Sequence, residues 1–395
     1  MASDITSFDR LITAYSNLKD PRIDRSKLYP LNEIIFLCIS AVISGFQDWD
    51  EVVDFGEEKI DWLRKYLPYE HGIPSHDTVN RVISLLDYRV FEKCFIDWTT
   101  MDLTLPSGVQ ICIDGKSLRG SATKSEQQLP HNQGGKSAVH IVHAWCNDLE
   151  ICLGQYKTEA KSNEITAIPA LLELLEIGGT VVTIDAMGCQ KAIATTIVEK
   201  NADYIFGLKD NQEVLSLCAF AAFNPEGLVD ETLLNKAPAQ PLTATAKNEK
   251  NDHGRKETRT CRILKADALS EYANAAEWSG LKTIIEITAT RETISTGKVE
   301  NETRYYISSL DRTPEEFNTL IRSHWGVENK LHWILDVTMG EDQSRKQIRN
   351  AAQNFSTFRK MALNRLKAIP EKISINRKQN KCAMSDQYRE KTLGF

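Results

Sequence analysis

Paired cysteines, a bilayer-length apolar run and a basic leader are all missing from this 395-residue chain. The nine cysteines are an odd number, scattered without a CxxC pair or a short Cys–His spacing. That excludes a zinc ribbon and argues for reduced thiols in a cytoplasmic protein. Cys38, Cys94, Cys112, Cys146 and Cys218 are expected as small buried hydrophobes. The longest apolar run near the start, Ile34 to Ile43, contains Cys38 and Ser40 and is too short to cross a bilayer. Met1 to Arg10 is polar and lacks the basic-then-apolar order of a secretory signal. No membrane partner is expected. Glycine and proline are sparse, and the apolar and charged shares are those of an ordinary globular protein long enough for two domains.

Net charge is −6, which by itself argues against nucleic acid, but the charge is unevenly spread. Between Arg345 and Lys391 thirteen Lys/Arg face three carboxylates, so this segment carries +10 and the remainder about −16. A basic segment on an acidic body suits a protein that touches phosphates locally, although a solvated helical face has the same composition.

Residues 1–100 read as helical. Leu31 to Ile43 is a buried helix, and Trp49 to Tyr66 has an amphipathic pattern. The turn Gly72-Ile73-Pro74-Ser75 follows, with Ser75 the N-cap of a helix through Val79, Val82 and Leu86. This arrangement is either a helix-turn-helix that reads DNA or a small bundle that only packs. A second region begins near Leu103. A strand ends on Asp114, strands follow over 137–147 and 149–157, and Ala122 to Gly135 forms a polar loop between the first two. A helix from Asn163 stops at Gly178-Gly179, and a strand over Thr180–Asp185 again ends on an aspartate. A helix over 190–200 and a strand over 203–208, closing on Lys209, complete the run. The order β-β-β-α-β-α-β is that of the ribonuclease H-like fold. Residues 213 to about 312 interrupt it as a β-rich insertion with strands at 258–264, 282–290 and 304–309 and a low-complexity stretch over 236–246. The next helix has a written start: Thr313 as N-cap, Pro314 at the first turn and Glu316 completing a capping box. It is expected to continue into His324-Trp325-Gly326-Val327-Glu328-Asn329-Lys330-Leu331-His332-Trp333, where His324, Glu328 and His332 share a face and Gly326 permits a kink.

Asp114, Asp185 and Glu328 are thus two carboxylates at strand ends and one on a later helix. Mg²⁺ binds through a few carboxylates plus water and substrate phosphate, and two such ions support in-line displacement at phosphorus. Neither Cys nor His dominates the set, which argues against zinc. Taken singly, each residue has a plainer reading. An Asp beside a Gly forms turns, Glu328 is an ordinary helix surface residue, and Trp325 and Trp333 fill core more often than they stack on bases.

The stretches "ICIDGKSLRGS", "VVTIDAMGCQKAIA" through "ADYIFGLKDNQ", and "SHWGVENKLHWILDVTMGED" resemble the three signature blocks of bacterial DDE insertion-sequence transposases, and those of the H-repeat-associated branch most of all. The N-terminal associated domain of that family is matched by "DPRIDRSKLYPLNEIIFLCISAVISGFQDWDEVVDFGEEKIDWLR" and "GIPSHDTVNRV". The resemblance implies an enzyme that cuts and rejoins double-stranded DNA, acting on element terminal repeats and on target DNA. It implies an Asp114, Asp185 and Glu328 triad holding two Mg²⁺ ions, with Mn²⁺ as a substitute, and a homodimer on paired ends. Lys116, Arg119 and Lys209 would neutralise phosphates near the site, and the basic C-terminal segment would hold the duplex. One departure is visible. The related Tyr-x2-Arg-x3-Glu-x6-Lys signature has Ile321, His324 and Leu335 in its other places, so His324, Arg322 and Lys330 become the substitute DNA contacts, and Glu341 and Asp342 the fallback carboxylates. The expected organisation is α/β: a small all-α N-terminal domain over 1–100, a ribonuclease H-like catalytic domain over 103–365 with its insertion at about 213–312, and a basic tail over 366–395. The alternative is a transposase-derived DNA-binding protein or nuclease that has lost mobility.

Overall fold

The computed structural model describes residues 7–123, 137–159, 164–224, 245–252, 254–269 and 275–395. Most of the expected polar loop over 122–135 and most of the low-complexity stretch lie outside the described residues, as does Asn163. The chain divides into two compact units. One comprises Met1–Thr104, Gly115–Lys161 and Glu328–Phe395; the other comprises Leu105–Asp114 and Ser162–Val327. The strand β1, Gln110–Leu118, passes from the second unit into the first, so it does not end at Asp114 as expected.

In the second unit the sheet is mixed. The first half of β1 pairs in parallel with β4 (Val181–Ile184), and β4 pairs in parallel with β5 (Asp203–Leu208). The free side of β5 takes β9 (Lys298–Ser308), followed by the antiparallel strands β8 (Thr283–Thr293), β7 (Arg255–Lys265) and β6 (Thr245–Asp252). The insertion therefore extends the sheet it interrupts. Two of its elements, β6 and the helix Glu213–Phe223, escape sequence reading, the latter because it is apolar on nearly every face. The helix Pro314–His324 starts as expected: Thr313 Oγ1 accepts from the Glu316 amide at 3.3 Å while Glu316 accepts from the Thr313 amide at 2.9 Å. Its Phe317 and Ile321 pack on Val181, Ile205, Cys261, Ile285 and Ile287, and fully burying side chains of this size is worth about 1.5–3 kcal/mol each.

The first unit is built on the helix Ala351–Ala368, whose residues 351–364 are all buried. Its polar side chains are engaged with backbone. Asn354 donates to the Ile83 and Leu86 carbonyls, and Asn364 accepts from and donates to Cys152 on β3 (Ile151–Lys157), 2.8 Å each way. β3 runs antiparallel to β2 (Val139–Cys146). Leu31–Ile43 is a helix as expected, and its residues 33–43 are buried inside the unit, so its apolarity is that of a core helix. The amphipathic stretch after it breaks at Lys59 into Trp49–Glu58 and Ile60–Leu63. Ser75 caps the helix His76–Leu85. Asp50, Glu51, Asp54, Glu57 and Glu58 face solvent from Trp49–Glu58, a surface that repels phosphate and favours the packing reading of these helices.

The expected basic tail is folded. It forms the helices Ile375–Met384 and Asp386–Leu393, and five of the thirteen cations between Arg345 and Lys391 are buried: Lys346, Arg359, Lys360, Lys378 and Arg389. Lys378 donates to the carbonyls of Leu366 and Ile369 at 2.9 and 2.7 Å, at the end of the long helix. Arg389 lies 4.0 Å over the Trp62 ring. These cations satisfy the interior, so the net charge of the segment overstates what it can offer to DNA.

Glu92 is buried against the long helix, where it accepts from Gln155 Nε2 at 3.0 Å and leaves its second oxygen unpartnered. Burial pushes its carboxyl up from 4.5 to about 8. A raised acid contributes stability that is present below about 4.5 and is lost as pH rises through about 8. Glu92→Gln is therefore expected to melt above the parent at pH 9 and to flatten the stability profile across that window, as read by thermal denaturation at stepped pH.

Candidate functional site

The register of β1 and β4 pairs Ile113 with Ile184, so Asp114 and Asp185 come next on the two strands, Asp185 just past the end of β4 and Asp114 where the parallel pairing stops while β1 runs on to Leu118. Asp185 then caps a short turn, its Oδ1 accepting from the amides of Met187 (3.0 Å) and Gly188 (3.4 Å). Asn211 donates to the Ala186 carbonyl at 2.7 Å and Gln212 to that of Cys189 at 2.9 Å, so the segment after Lys209 holds the Asp185 turn in place. Gly207 on β5 packs closely there, since a Cβ would sit 3.0 Å from the Ala186 nitrogen. Burial raises the Asp185 carboxyl and the charge of Glu164 raises it further, opposed by the two amides and by exposed Lys209. Glu164 is an acidic neighbour that sequence reading missed, since it opens a helix in a different block.

His324 ends its helix inside a polar cluster of the same unit. Its Nδ1 is 2.9 Å from Thr183 Oγ1, which also accepts from Gln110 Nε2 at 3.0 Å, and Gln110 Nε2 donates to the Leu320 carbonyl at 2.9 Å. Ser323 Oγ donates to Gln110 Oε1. The cluster ties the helix end to β1 and β4 just before the two aspartates. Burial lowers the His324 ring to about 4, so at neutral pH it supplies no cation in the place of the missing arginine. Arg322 pairs with Glu257 at 2.6 Å.

After His324 the α-helix gives way. Residues Glu328–His332 and Ile334–Thr338 form wider π-helical turns, a geometry that sits often at functional positions, and Gly326 lies at the change. Glu328 is exposed at the start of the first wide turn. His332, at its end, is buried with Nε2 3.1 Å from His143 Nδ1 on β2, and burial drops its ring to about 3. Lys330 pairs with Glu150 at 2.6 Å. Trp325 and Trp333, expected as core, are 38% and 56% exposed; Arg304 lies 5.2 Å over the Trp325 ring.

Lys116 corrects its expected role. It is buried and lies 2.6 Å from Asp336, 3.1 Å from Glu341 and 3.2 Å from Asp342, so it is committed to protein carboxylates and not presented to phosphate. The alternation of β1 carried the signal, because Lys116 is in phase with buried Cys112 and Leu118. Glu341 is likewise unsuited as a fallback carboxylate. Burial alone would raise it, but Lys360, Lys116 and Arg359 hold it down at about 2. Arg119 is exposed, with Asp342 alongside at 3.4 Å.

Among the described residues no three His, Cys, Asp or Glu side chains form a closed metal cage. Mg²⁺ does not require one, since it binds through one or two carboxylates and completes its shell with water and substrate phosphate. Asp114 and Asp185 offer hard oxygen donors, and Asp185, raised first by burial and then by Glu164, is a carboxylate whose charge a divalent cation would stabilise. The donor set fits the ion.

Two family models match the chain: the DDE_Tnp_1-associated model over residues 12–99 and the Transposase DDE domain over residues 105–365. "Putative transposase YncI" of Escherichia coli O157:H7 is 40% identical over 390 residues, covering 98% of this chain and 95% of that protein. "H repeat-associated putative transposase YhhI" of Escherichia coli strain K12 is 39% identical over 393 residues, covering 97% of each. Among solved structures, a piggyBac transposase synaptic complex with hairpin DNA aligns at a TM-score of 0.43 and 10% identity, covering 100% of this chain and 80% of that one. The chain belongs to the DDE transposase family, beside the H repeat-associated transposases of Escherichia coli.

Proposed function

We propose that this transposase cleaves and joins DNA strands by in-line displacement at phosphorus, with Asp114, Asp185 and Glu328 as its catalytic carboxylates. The observation that carries the reading is the parallel register of β1 and β4, which puts Asp114 and Asp185 next after its last pair. The order of strands and helices supports a ribonuclease H-like core, and the family matches support an accessory N-terminal region before a catalytic one. The three carboxylates would hold Mg²⁺, for which Mn²⁺ would substitute, and such ions would activate the attacking oxygen and stabilise the leaving one. In the first step a water oxygen bonds to phosphorus as the P–O3′ bond breaks, leaving a 3′-hydroxyl and a 5′-phosphate. In the second the 3′-hydroxyl loses its proton and bonds to a target phosphorus, displacing that strand's own 3′-oxygen. Lys209 and Arg119, both exposed, neutralise phosphates of the bound DNA. His324 supports the site through Thr183, and Arg322 and Lys330 reach DNA only by exchanging a carboxylate partner for a phosphate. The protein works in the cytoplasm as a homodimer on paired ends.

The experiment is nicking of DNA carrying the element's terminal repeats, with and without Mg²⁺. Nicks with 3′-hydroxyl ends that require Mg²⁺ are expected. Absence of nicking by a folded protein that still binds the repeats would favour a DNA-binding descendant instead.

A further inference from the structure

We propose that Lys116 is a positioning residue for this chemistry: its ammonium, clasped by Asp336, Glu341 and Asp342, locks the strand segment leaving Asp114 to the segment leaving Glu328. The inference rests on the assignment of those two residues under Proposed function. Lys116 stands two residues after Asp114 on β1 and its three partners stand eight to fourteen residues after Glu328; Lys116 and these partners lie within one unit, into which β1 passes just after Asp114. The lock is reinforced along its length. Gln347 Nε2 donates to the carbonyls of Gly120 (3.0 Å) and Ala122 (2.7 Å), and the Arg119 amide donates to Asp342 at 3.4 Å. Gly120 approaches so closely that a Cβ would meet the Ser344 carbonyl oxygen at 2.4 Å. Glu341 is held from behind by Ser356 and by Lys360 at 3.6 Å, so the clasp is anchored to the long buried helix. A cation so enclosed cannot also serve a mobile phosphate. What the arrangement provides is a fixed geometry between two chain segments, and misplacing a catalytic group by about 1 Å can cost roughly 10²-fold in rate.

The test compares Lys116→Met, Lys116→Arg, Asp336→Asn and Asp342→Asn with the parent and with Asp114→Asn in Mg²⁺-dependent nicking of terminal-repeat DNA, alongside the salt dependence of DNA binding. The positioning role predicts that Lys116→Met lowers kcat by about 10²-fold with KM and the salt slope unchanged. Lys116→Arg should recover most of that loss. Asp342→Asn, which preserves shape at a half-buried site and keeps the test alive if Lys116→Met does not fold, should lower kcat without touching binding. A phosphate-contact role predicts the opposite pattern. Lys116→Met would then raise KM and reduce the salt slope by about 1, and freeing the lysine in Asp336→Asn or Asp342→Asn would tighten DNA binding. That pattern, or an unchanged kcat in Lys116→Met, overturns the proposal. A parent that does not nick, or an Asp114→Asn that nicks as well as the parent, overturns the underlying assignment instead.

Discussion

Asp114→Asn and Asp185→Asn are expected to lower Mg²⁺-dependent nicking by at least about 10³-fold, the several kcal/mol that metal-assisted charge stabilisation supplies to a displacement at phosphorus. Neither change should unfold the protein. Asparagine keeps the size of the side chain, and at position 185 its Oδ1 can still accept from the Met187 and Gly188 amides that the aspartate serves now. Burial and Glu164 both raise the Asp185 carboxyl, so its charge is a burden on the folded state. A raised acid stabilises the fold below its unfolded pKa and loses that contribution as pH rises, so at neutral pH Asp185→Asn should melt no lower than the parent. Loss of activity with retained or increased stability is the pattern of a residue kept for chemistry. Nicking rates over a Mg²⁺ titration, paired with thermal melting, read both halves. Equal nicking by either variant would remove that aspartate from the site.

Lys360→Met is expected to destabilise the protein by about 1–3 kcal/mol, because it removes one of the cations that compensate the buried Glu341 carboxylate and leaves Lys116 and Arg359 to hold it. Lys360 is fully buried, donates to the Ser356 carbonyl at 3.3 Å and lies 3.6 Å from Glu341, itself 2% exposed. The cost comes from weaker compensation of a buried charge, so Lys360→Met combined with Glu341→Gln should recover part of the stability. The sign of the pH dependence follows from the same contacts. Glu341 is held down at about 2 from 4.5, so its contribution is present above about 4.5 and is lost as pH falls toward about 2. Urea denaturation of the parent, the single variant and the double variant at pH 7 and pH 4 checks both statements. A Lys360→Met protein as stable as the parent would contradict the ion cluster.

Local signals were legible in the sequence wherever one residue type does one local job. The capping box at Thr313, Pro314 and Glu316, the apolar Leu31–Ile43 helix and the strand Asp203–Leu208 all form where chain chemistry places them. The matching of Asp114 with Asp185 was legible too, since both follow short apolar runs, although β1 continues past Asp114 to Leu118. Partner choice was not. Lys116 reads as a phosphate ligand beside Arg119, because the carboxylates that claim it lie more than 200 residues away in sequence. The cations of the C-terminal segment read as a solvated arm for the same reason, while Lys378 and Arg389 serve carbonyls and rings inside the fold. The wide turns carrying Glu328 and His332 were also hidden. Spacing by 3.6 residues assumes an α-helix, and Gly326 marks only where that assumption weakens.

Strand joining is the measurement that bears most directly on the whole account. A duplex ending in the terminal repeat is incubated with the protein, Mg²⁺ and a supercoiled target, once with a 3′-hydroxyl end and once with a 3′-deoxy end. The account predicts covalently joined products from the hydroxyl end, none from the deoxy end, and none with Asp114→Asn, Asp185→Asn or Glu328→Gln. Nicking without joined products from a 3′-hydroxyl end would make the protein a nuclease, and joining that survives Glu328→Gln would show that the third carboxylate lies elsewhere.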